Sequence, residues 1–323
     1  MNTAAPKTPT VTIGLPVFNG EDYLEGTIES LLSQTFEDFE LIISDNASTD
    51  ATQAICERFA AEDARVRYDR LPENVGAAPN YNRLVPMARG KYFKWAAHDD
   101  RCMPAFLERC VAVLERDPTV VLAYPTTSVI DADGAEMRIY RDGLGLSAAK
   151  PADRLARYLD VNFLGVRGMC NPIFGLIRTD ELRRTRLIQD FVASDRSLLG
   201  HLALLGRFVE MEETLFERRI HLNTSTMAYA GLNDRKKWFN PKAKTGKSSR
   251  DNHLALRATH VIDFWRAINE LVPDGATRRS CQLAMLKMLT IRPRWFWRDV
   301  KYSLGYQPGP LQILQALRQD PAR

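Results

Sequence analysis

The sequence is poor in the features that mark membrane-spanning, secreted and nucleic-acid-binding proteins. No apolar run in its 323 residues reaches the roughly 18 needed to cross a bilayer, and residues 1–9 lack the apolar core of a signal peptide. The net charge of +4 is too small to require a nucleic-acid partner, although it suits an anionic ligand. We therefore expect a cytoplasmic protein that does not bind nucleic acid.

Cysteine is also scarce, and its spacing argues against structural cross-links. The five cysteines are odd in number and show no metal-knuckle spacing. They are Cys56, Cys102, Cys110, Cys170 and Cys281. We expect reduced, buried thiols and no structural zinc site.

No glycine-rich loop follows the first predicted strand. The apolar run Val11–Val17 predicts a buried strand, and the turn that begins at Phe18 and Asn19 contains no glycine triplet. The dinucleotide-binding fingerprint and the phosphate-binding P-loop both need such glycines. NAD-dependent enzymes and P-loop kinases are therefore disfavoured.

Short apolar runs alternate with helical periodicity through the N-terminal part of the chain. Strands are predicted at Val11–Val17 and at 41–43, 66–70, 92–96 and 120–124, with helices between them. This alternation predicts an α/β fold with a mostly parallel, Rossmann-like sheet and helices on both faces. Ligands of such sheets bind at the carboxyl ends of the strands.

The pattern changes in the second half of the chain. Residues 131–134 (Asp-Ala-Asp-Gly) predict a hairpin turn, and residues 142–151 predict a glycine-containing loop. We expect this half of the chain to shape a second substrate site. A basic stretch at 236–250 predicts a flexible cationic link, and helical periodicity returns at 254–271 and 283–291. We expect a helical C-terminal extension beyond that link.

Polar residues follow the second and fourth predicted strands. Asp45 is placed to accept the imide hydrogen of a pyrimidine base, whereas residues 48–50 (Ser-Thr-Asp) are expected to cap the next helix. Asp99 and Asp100 follow the fourth strand. Adjacent like charges indicate a metal, a basic ligand or plain solvation in a surface turn, and these residues alone leave the three alternatives open.

Five motifs occur in a set order along the chain. They are Pro-Val-Phe-Asn at 16–19, Ser-Asp-Asn-Ala-Ser-Thr-Asp at 44–50, Asn-Val-Gly at 74–76, Ala-Arg-Gly-Lys-Tyr at 88–92 and His-Asp-Asp at 98–100. Their order resembles the inverting nucleotide-sugar glycosyltransferases of family 2, which have the GT-A fold, over about residues 10–230. The resemblance implies a GT-A catalytic domain at 1–235, with a nucleotide-sugar half at about 10–125 and an acceptor half at about 126–235, followed by the helical extension at 236–323.

The resemblance also implies a nucleotide-sugar site at the ends of the first strands. In that site Asp45 would hold the base, and Asp99 would be the metal-bound aspartate of the family's Asp-x-Asp motif. The nucleotide-sugar-binding residues expected on this basis are Pro16, Val17, Phe18, Asn19, Asp45, Asn74, Asn82, His98 and Asp99. For His98, simple exposure in a turn is the alternative.

A divalent cation, Mn²⁺ or Mg²⁺, is implied as cofactor, with Asp99, Asp100 and His221 as its ligands. The chain departs from the family pattern at Ala97, where the family has the first Asp of its motif. The remaining ligands would be diphosphate oxygens and water, a shell that hard divalent cations accept. For His221, a phosphate contact or an ordinary surface position are the alternatives.

The acceptor half carries the implied general base. Asp195 lies where the family has its catalytic aspartate, although Ser194 replaces the acid that usually precedes it. A helix N-cap is the alternative role for Asp195. Arg218 or Arg219 would neutralise the leaving diphosphate.

The resemblance therefore implies a metal-dependent enzyme of cell-surface polysaccharide synthesis. It would move a sugar, with inversion, from a nucleotide-diphosphate sugar to a hydroxyl of a saccharide or lipid-linked saccharide. A sugar-phosphate nucleotidyltransferase and a catalytically weak nucleotide-sugar-binding scaffold stay open as alternatives. Residues 292–298 (Arg-Pro-Arg-Trp-Phe-Trp-Arg) predict peripheral contact with the inner face of the membrane, or packing of their aromatic side chains on the core or on a second subunit of a homodimer.

Overall fold

The structure is a computed structural model that describes residues 8–163, 170–224, 232–242, 253–291 and 300. Within these ranges the chain forms one nine-stranded sheet with helices on both faces. The strands are β1 Val11–Val17, β2 Phe39–Asp45, β3 Val66–Arg70, β4 Tyr92–Trp95, β5 Arg101–Cys102, β6 Val120–Ile130, β7 Glu136–Tyr140, β8 Leu176–Arg178 and β9 Arg207–Arg219. The helices are α1 Leu24–Leu32, α2 Thr52–Glu62, α3 Ala77–Met87, α4 Phe106–Arg116, α5 Pro151–Tyr158, α6 Thr179–Arg184, α7 Ser194–Leu205, α8 Leu232–Phe239, α9 His253–Leu271 and α10 Gly275–Ile291.

The central strands are apolar on both faces because each face is covered by helices. All seven residues of β1 and all seven of β2 are buried. Successive residues of β2 enter different cores, since Leu41 and Ile43 belong to one hydrophobic cluster and Ile42 to the other. This is the pattern expected of strands buried within an α/β sheet.

The sheet order is β3-β2-β1-β4-β8-β6-β9-β5, and β7 pairs with β6. The first four strands of this order are mutually parallel. The short strand β8 lies antiparallel between β4 and β6, and β6 and β9 then run parallel. The predicted α/β sheet flanked by helices is confirmed, with a mixed part beyond β4.

The register of the parallel strands places their carboxyl ends at one edge. Val17 pairs with Asp45, and Gly14 pairs with Trp95 near the end of β4. The loops that begin after these residues therefore lie side by side. This edge carries the residues discussed below.

Three predicted elements differ from the observed ones. The strand predicted at 120–124 continues through Ile130, and the C-terminal helix predicted at 283–291 begins at Gly275. The flexible link predicted at 236–250 is wrong for its first residues, which belong to α8, because Phe239 of that helix is buried in the core. Residues 243–250 and the aromatic segment 292–298 lie outside the described residues.

The C-terminal helices share a core with the acceptor half. Phe264 and Ile268 of α9 belong to the same hydrophobic cluster as Tyr158 of α5 and Leu198 of α7. Helix α9 packs against α7, and α10 against α5. Among the helices that the structure describes, none combines the length and apolar character needed to span a membrane.

Candidate active site

The end of β1 presents two of its four expected ligands to the outside. Pro16 and Val17 are the last residues of the strand and are buried. Phe18 follows with 40% of its surface exposed, and Asn19 is also exposed. A ligand at this edge would therefore meet Phe18 and Asn19 first.

The loops after β1 and β2 are fastened to each other. The Asn19 N–H donates to Ser48 Oγ at 2.9 Å, and Asn19 Oδ1 accepts from the Thr49 N–H at 2.9 Å. The Gly20 N–H donates to Thr52 Oγ1 at 2.9 Å. Ser48 and Thr49 thus hold the β1 loop, which corrects the helix-capping role expected of them.

Asp45 is fully buried at the end of β2 and is held by protein groups. Its Oδ1 accepts from the Ser48 N–H at 2.8 Å, and its Oδ2 accepts from the Tyr68 hydroxyl at 2.8 Å. Arg70 Nε lies 3.5 Å from the same Oδ2. Burial and the hydrogen bond to Asp45 raise the pKa of Tyr68, so that its hydroxyl keeps the donated proton.

Two of the expected asparagines hydrogen-bond to other segments of the chain. Asn74 Oδ1 accepts from Asn46 Nδ2 at 2.9 Å, which joins the loops after β2 and β3. Asn82 Nδ2 donates to the Ile188 carbonyl at 2.7 Å, and Asn82 Oδ1 accepts from the Ile188 N–H at 3.1 Å. Asn82 therefore connects α3 to the segment that leads into α7.

The acidic pair follows β4 in a turn that α1 holds. The Thr27 hydroxyl lies 2.9 Å from both the His98 and the Asp100 carbonyl oxygens. Asp99 is 9% exposed, Asp100 is 5% exposed, and His98 is half-buried. A solvated surface turn is therefore wrong for the two carboxylates.

The end of β9 reaches the acidic pair from a distant part of the sequence. His221 Nε2 lies 3.0 Å from Asp99 Oδ2, although 122 residues separate the two. The Arg219 N–H donates to Asp100 Oδ1 at 2.9 Å, and Arg219 Nε donates to the Asp99 carbonyl at 3.1 Å. The His221 side chain is 8% exposed and packs on Tyr23 with 4.7 Å between ring centroids. An ordinary surface position for His221 is therefore wrong.

The pKa values of the two adjacent carboxylates are shifted in opposite directions. Burial opposes ionisation of Asp99, but the hydrogen bond from His221 and the positive charges of His98 and Arg218 outweigh it and lower the pKa of Asp99. Burial and the charge of Asp99 raise the pKa of Asp100. Asp99 is therefore the carboxylate of the pair that stays ionised.

Asp195 is the second residue of α7, and its helix begins after a strained turn. Ala193 has a left-handed backbone with φ 61°. Ser194 is fully buried and donates to the Gln189 carbonyl at 2.8 Å, so this position points away from the site. Asp195 is half-buried and its Oδ1 accepts from the Arg196 N–H at 2.9 Å. The N-cap role for Asp195 is wrong, because the cap position is Ala193.

The two halves of the fold meet at Tyr81 of α3. Burial raises the pKa of the Tyr81 hydroxyl, and so do the negative charges of Asp99, Asp100 and Asp195. Arg218 acts on Tyr81 in the opposite direction. Because such effects require proximity, the acidic pair and the α7 carboxylate both lie near the Tyr81 hydroxyl.

A comparison with protein families gives this arrangement its context. The model of Glycosyl transferase family 2 matches residues 12–180, just over half of the chain. The chain belongs to glycosyl transferase family 2. The matched residues contain β1 to β4, the acidic pair and α3, and they end just after β8.

Several glycosyltransferases and polysaccharide synthases are similar to this chain in sequence. The putative teichuronic acid biosynthesis glycosyltransferase TuaG of Bacillus subtilis is 36% identical over 101 residues, which are 31% of this chain and 40% of that protein. An uncharacterized glycosyltransferase of Haemophilus influenzae is 26% identical over 231 residues, or 68% of each chain. A hyaluronan synthase of Pasteurella multocida is 31% identical over 129 residues, which are 40% of this chain and 13% of the synthase. The chain therefore spans less than half the length of the first and last of these relatives.

Solved structures show the same fold at low sequence identity. Staphylococcus aureus TarS 1-349 in complex with UDP-GlcNAc superposes with a TM-score of 0.59 and 14% identity, over 91% of this chain and 81% of that one. The mannosyltransferase PcManGT of Pyrobaculum calidifontis, in complex with GDP-Man and Mn²⁺, gives a TM-score of 0.50 and 14% identity, over 97% and 88% of the two chains. The predicted GT-A fold is confirmed.

A divalent cation fits the donor atoms at the acidic pair of this family 2 site. Asp99 and His221 supply one carboxylate and one imidazole, 3.0 Å apart. Asp100, the third ligand expected from the sequence, does not complete a metal site with these two, because within the ranges that the structure describes no group of three or more His, Cys, Asp or Glu side chains could hold a metal ion. A small hard cation that takes one or two protein ligands and completes its shell with phosphate oxygens and water matches this set.

The two arginines at the end of β9 have different surroundings. Arg219 is buried, donates to the Asp131 and Ala132 carbonyls at 3.1 and 2.9 Å, and lies 4.6 Å over the Tyr23 ring. Arg218 donates to Asn171 Oδ1 at 2.6 Å and interacts electrostatically with the acidic pair. Of the two arginines proposed from sequence, Arg218 is the one that faces the site, whereas Arg219 holds the turn.

Sequence reasoning missed three groups at or beside the site. Asn46 lies in the motif at 44–50 and Tyr81 lies on α3. The polar groups near each of them are brought there only by folding. Glu210 of β9 accepts from the Asp142 N–H at 2.8 Å and so anchors the loop after β7. Burial and the charge of Glu210 raise the pKa of Asp142 to about 8. The spacing of these residues along the sequence carries no signal of either contact.

Proposed function

We propose that this chain transfers a sugar from a nucleotide-diphosphate sugar to a hydroxyl of a saccharide or lipid-linked saccharide, with inversion, in cell-surface polysaccharide synthesis. One observation carries the proposal: the acidic pair after β4 and the Asp195 carboxylate of α7 both lie near the Tyr81 hydroxyl, because the charges of all three carboxylates raise its pKa. The proposal gains support from relatives named for teichuronic acid, hyaluronan and chondroitin synthesis. It also gains support from TarS, whose structures contain UDP-GlcNAc or UDP.

The donor nucleotide would lie at the carboxyl ends of β1 and β2. Phe18 and Asn19 offer an exposed ring and an exposed amide there. Asp45 would hold the base by accepting from its imide N–H, with Tyr68 and Arg70 keeping the carboxylate in place. Tyr68 and Arg70 belong to β3, so three neighbouring strands would build this end of the pocket.

The diphosphate would lie between the acidic pair and the end of β9. Asp99 and His221 would hold a Mn²⁺ or Mg²⁺ ion there, which when bound stabilises negative charge on the diphosphate. Arg218 would add a positive charge beside the leaving group, because it interacts electrostatically with both Asp99 and Asp100. His98 is half-buried beside Gly20 and would contact the sugar side of the diphosphate.

The proposed step is a single displacement. Asp195 takes the proton from the acceptor hydroxyl while that oxygen forms a bond to the anomeric carbon. The bond from this carbon to the diphosphate oxygen breaks on the opposite face, and its electron pair leaves with the nucleoside diphosphate. Holding acceptor and donor in line supplies much of the remaining reduction of the barrier.

A donor screen tests this proposal. The full chain is incubated with UDP, dTDP and GDP sugars, with Mn²⁺ or with EDTA, and release of nucleoside diphosphate is followed. We expect release from the sugars of one nucleotide, and loss of that release with EDTA and in the Asp99→Asn variant. A folded protein that releases nothing from any donor would contradict the enzyme proposal and favour a scaffold.

A second assay, with a nucleoside triphosphate and a sugar 1-phosphate as substrates, separates a nucleotidyltransferase. That enzyme would form pyrophosphate from a nucleoside triphosphate and a sugar 1-phosphate, and it would need a glycine-rich basic loop after β1. Here residues 19–23 read Asn-Gly-Glu-Asp-Tyr, and the loop is bonded to Ser48 and Thr52. We therefore expect no pyrophosphate.

We also propose peripheral membrane contact through the C-terminal segment. Residues 292–298 combine cationic and aromatic side chains, and Trp265 and Leu286 of the preceding helices are exposed apolar residues. We expect the full chain to float with anionic vesicles more strongly than a chain that ends before Pro293. Equal flotation of the two chains would contradict membrane contact and leave packing on the core or on a second subunit.

A further inference from the structure

Helix α9 lies unusually close to α7, the helix that carries Asp195. Gly200 of α7 makes this possible, because a Cβ at that position would overlap the ring of Phe264. The interface also contains two buried polar pairs, one of which joins Ser197 to His260 and the other His201 to Asp263. Both ring nitrogens of His260 are hydrogen-bonded, and buried polar groups that are paired in this way fix the relative position of the elements that carry them.

His260 forms hydrogen bonds to one residue before the start of α7 and to one residue within its first turn. Its Nδ1 lies 2.8 Å from Ser197 Oγ, and its Nε2 lies 3.1 Å from the Val192 carbonyl. Because a carbonyl oxygen can only accept, Nε2 carries the proton and Nδ1 accepts from the Ser197 hydroxyl. The ring of Phe191 also meets the imidazole edge to face, with centroids 4.9 Å apart.

The imidazole keeps this tautomer over a wide pH range. Burial lowers the pKa of His260 to about 3, and the positive charges of Arg257 and Arg196 act in the same direction. The Val192 hydrogen bond and the charge of Asp263 oppose them. His260 is therefore neutral wherever the protein is folded near neutral pH.

Contacts of His260 lie on both sides of Asp195 in the sequence. Phe191 and Val192 precede it by four and three residues, and Ser197 follows it by two. Between them lies the left-handed Ala193, a conformation that an alanine keeps only when its surroundings impose it. The imidazole thus holds both ends of the turn that aims the Asp195 carboxylate.

We propose that His260 of the C-terminal extension is a positioning residue for Asp195. This inference rests on the proposed function, in which Asp195 is the general base. His260 does not touch the reacting atoms and acts through Val192 and Ser197. The C-terminal extension would therefore contribute to catalysis through this side chain.

The chain offers a matched control at His201. It is also a fully buried histidine at the interface of α7 and α9, with Nε2 2.8 Å from Asp263 Oδ2. Its side-chain hydrogen bond runs to Asp263 of α9, and Asp263 keeps Arg186 Nε at 3.3 Å when the histidine is replaced. Loss of His201 should cost stability as loss of His260 does, without releasing the turn before α7.

The test compares His260→Ala, His260→Gln, Ser197→Ala and His201→Gln in the full chain, with the donor found by the screen. We expect His260→Ala to lower kcat about 10-fold or more, because small misplacements of reacting groups are costly, and to leave the KM for the donor unchanged. His260→Gln should recover most of kcat, since glutamine can both donate to Val192 and accept from Ser197. Ser197→Ala removes one contact with little change in volume, and should lower kcat less than His260→Ala does.

A double-mutant cycle gives the sharpest result. In an Asp195→Asn background, adding His260→Ala should cause no further loss, because the carboxylate that it positions is already gone. His201→Gln should lower the melting temperature while kcat stays near that of the unmodified chain.

If the unmodified chain transfers sugar, two results would overturn the inference. One is an equal loss of kcat in His201→Gln and His260→Ala, and the other is a full additional loss from His260→Ala in the Asp195→Asn background. If His260→Ala does not fold, an unchanged kcat in Ser197→Ala would do the same. Absence of transfer by the unmodified chain would instead contradict the proposed function itself.

Discussion

At the scale of single residues, the two key carboxylates are held in different ways. Asp99 is buried and hydrogen-bonded to His221, so it is fixed and ionised. Asp195 is half-buried in the first turn of α7 and accepts from the N–H of the next residue. A fixed anion suits cation binding, and a carboxylate open to solvent on one side suits proton exchange.

Replacing Asp195 tests its proposed role. We expect Asp195→Asn to fold and bind the donor normally, because the amide oxygen can still accept from Arg196. Transfer should fall on the order of 100-fold or more, since the amide cannot take the acceptor proton. Single-turnover assays and donor titration measure the two effects, and near-normal turnover would remove Asp195 from this role.

Replacing His221 tests the cation site. With one of two protein ligands gone, His221→Gln should raise the Mn²⁺ concentration for half-maximal donor hydrolysis about 10-fold or more. The matched buried histidine variant His201→Gln should leave this concentration unchanged. An identical metal requirement in both variants would show that His221 is no ligand and only contacts Asp99 and Tyr23.

Motif order predicted Asp45, Asp99 and Asp195 because each follows a recognisable strand or helix start. It left Arg218 and Arg219 undistinguished, since which one turns inward depends on how β9 pairs with β6. Tyr81 was missed for a similar reason. Its polar neighbours come from both halves of the chain and become adjacent only on folding.

At the scale of secondary structure, elements with a regular pattern were predictable. Strand β1 was predicted with its observed bounds, because apolar runs of this length are typical of buried strands. Strand β8 has only three residues and carries no periodic signal. Strand β9 has 13 residues, but its pairing with β6 shifts register at three places, which disrupts the alternation of inward and outward side chains.

The interface of α7 and α9 has a pH signature. Folding lowers the pKa of His260 from 6.5 to about 3, so only the unfolded chain takes up this proton between those values. The free energy of unfolding should therefore fall as the pH drops below about 6.5, by at most about 1.4 kcal/mol per pH unit from this group. The loss should continue until the pH reaches about 3.

Denaturant unfolding at a series of pH values measures this effect. Glutamine does not titrate, so His260→Gln should show a shallower decline in acid than the unmodified chain. Arg257, Arg196 and Asp263 surround the side chain at position 260 in both proteins. Their own contributions to the pH dependence of stability therefore cancel in the comparison. Parallel declines would mean that His260 is not held neutral in the folded protein.

At the scale of the whole molecule, the C-terminal helices are part of the folded unit. Their apolar side chains complete the core formed by α5 and α7, so they cannot be removed without exposing residues such as Leu155 and Leu198. The predicted boundary at residues 235–236 stays a prediction. This boundary was based on the basic stretch at 236–250, whose first residues form the end of α8.

The central claim is a single displacement at the site between the acidic pair and α7, with Asp195 as base. Proton NMR of the sugar first released from an α-linked donor tests it most directly, with water serving as acceptor before the anomers equilibrate. Attack on the face opposite the nucleotide predicts that the β-anomer appears first, and that its rate of appearance collapses in Asp195→Asn. Initial appearance of the α-anomer would contradict the single displacement and the role of Asp195.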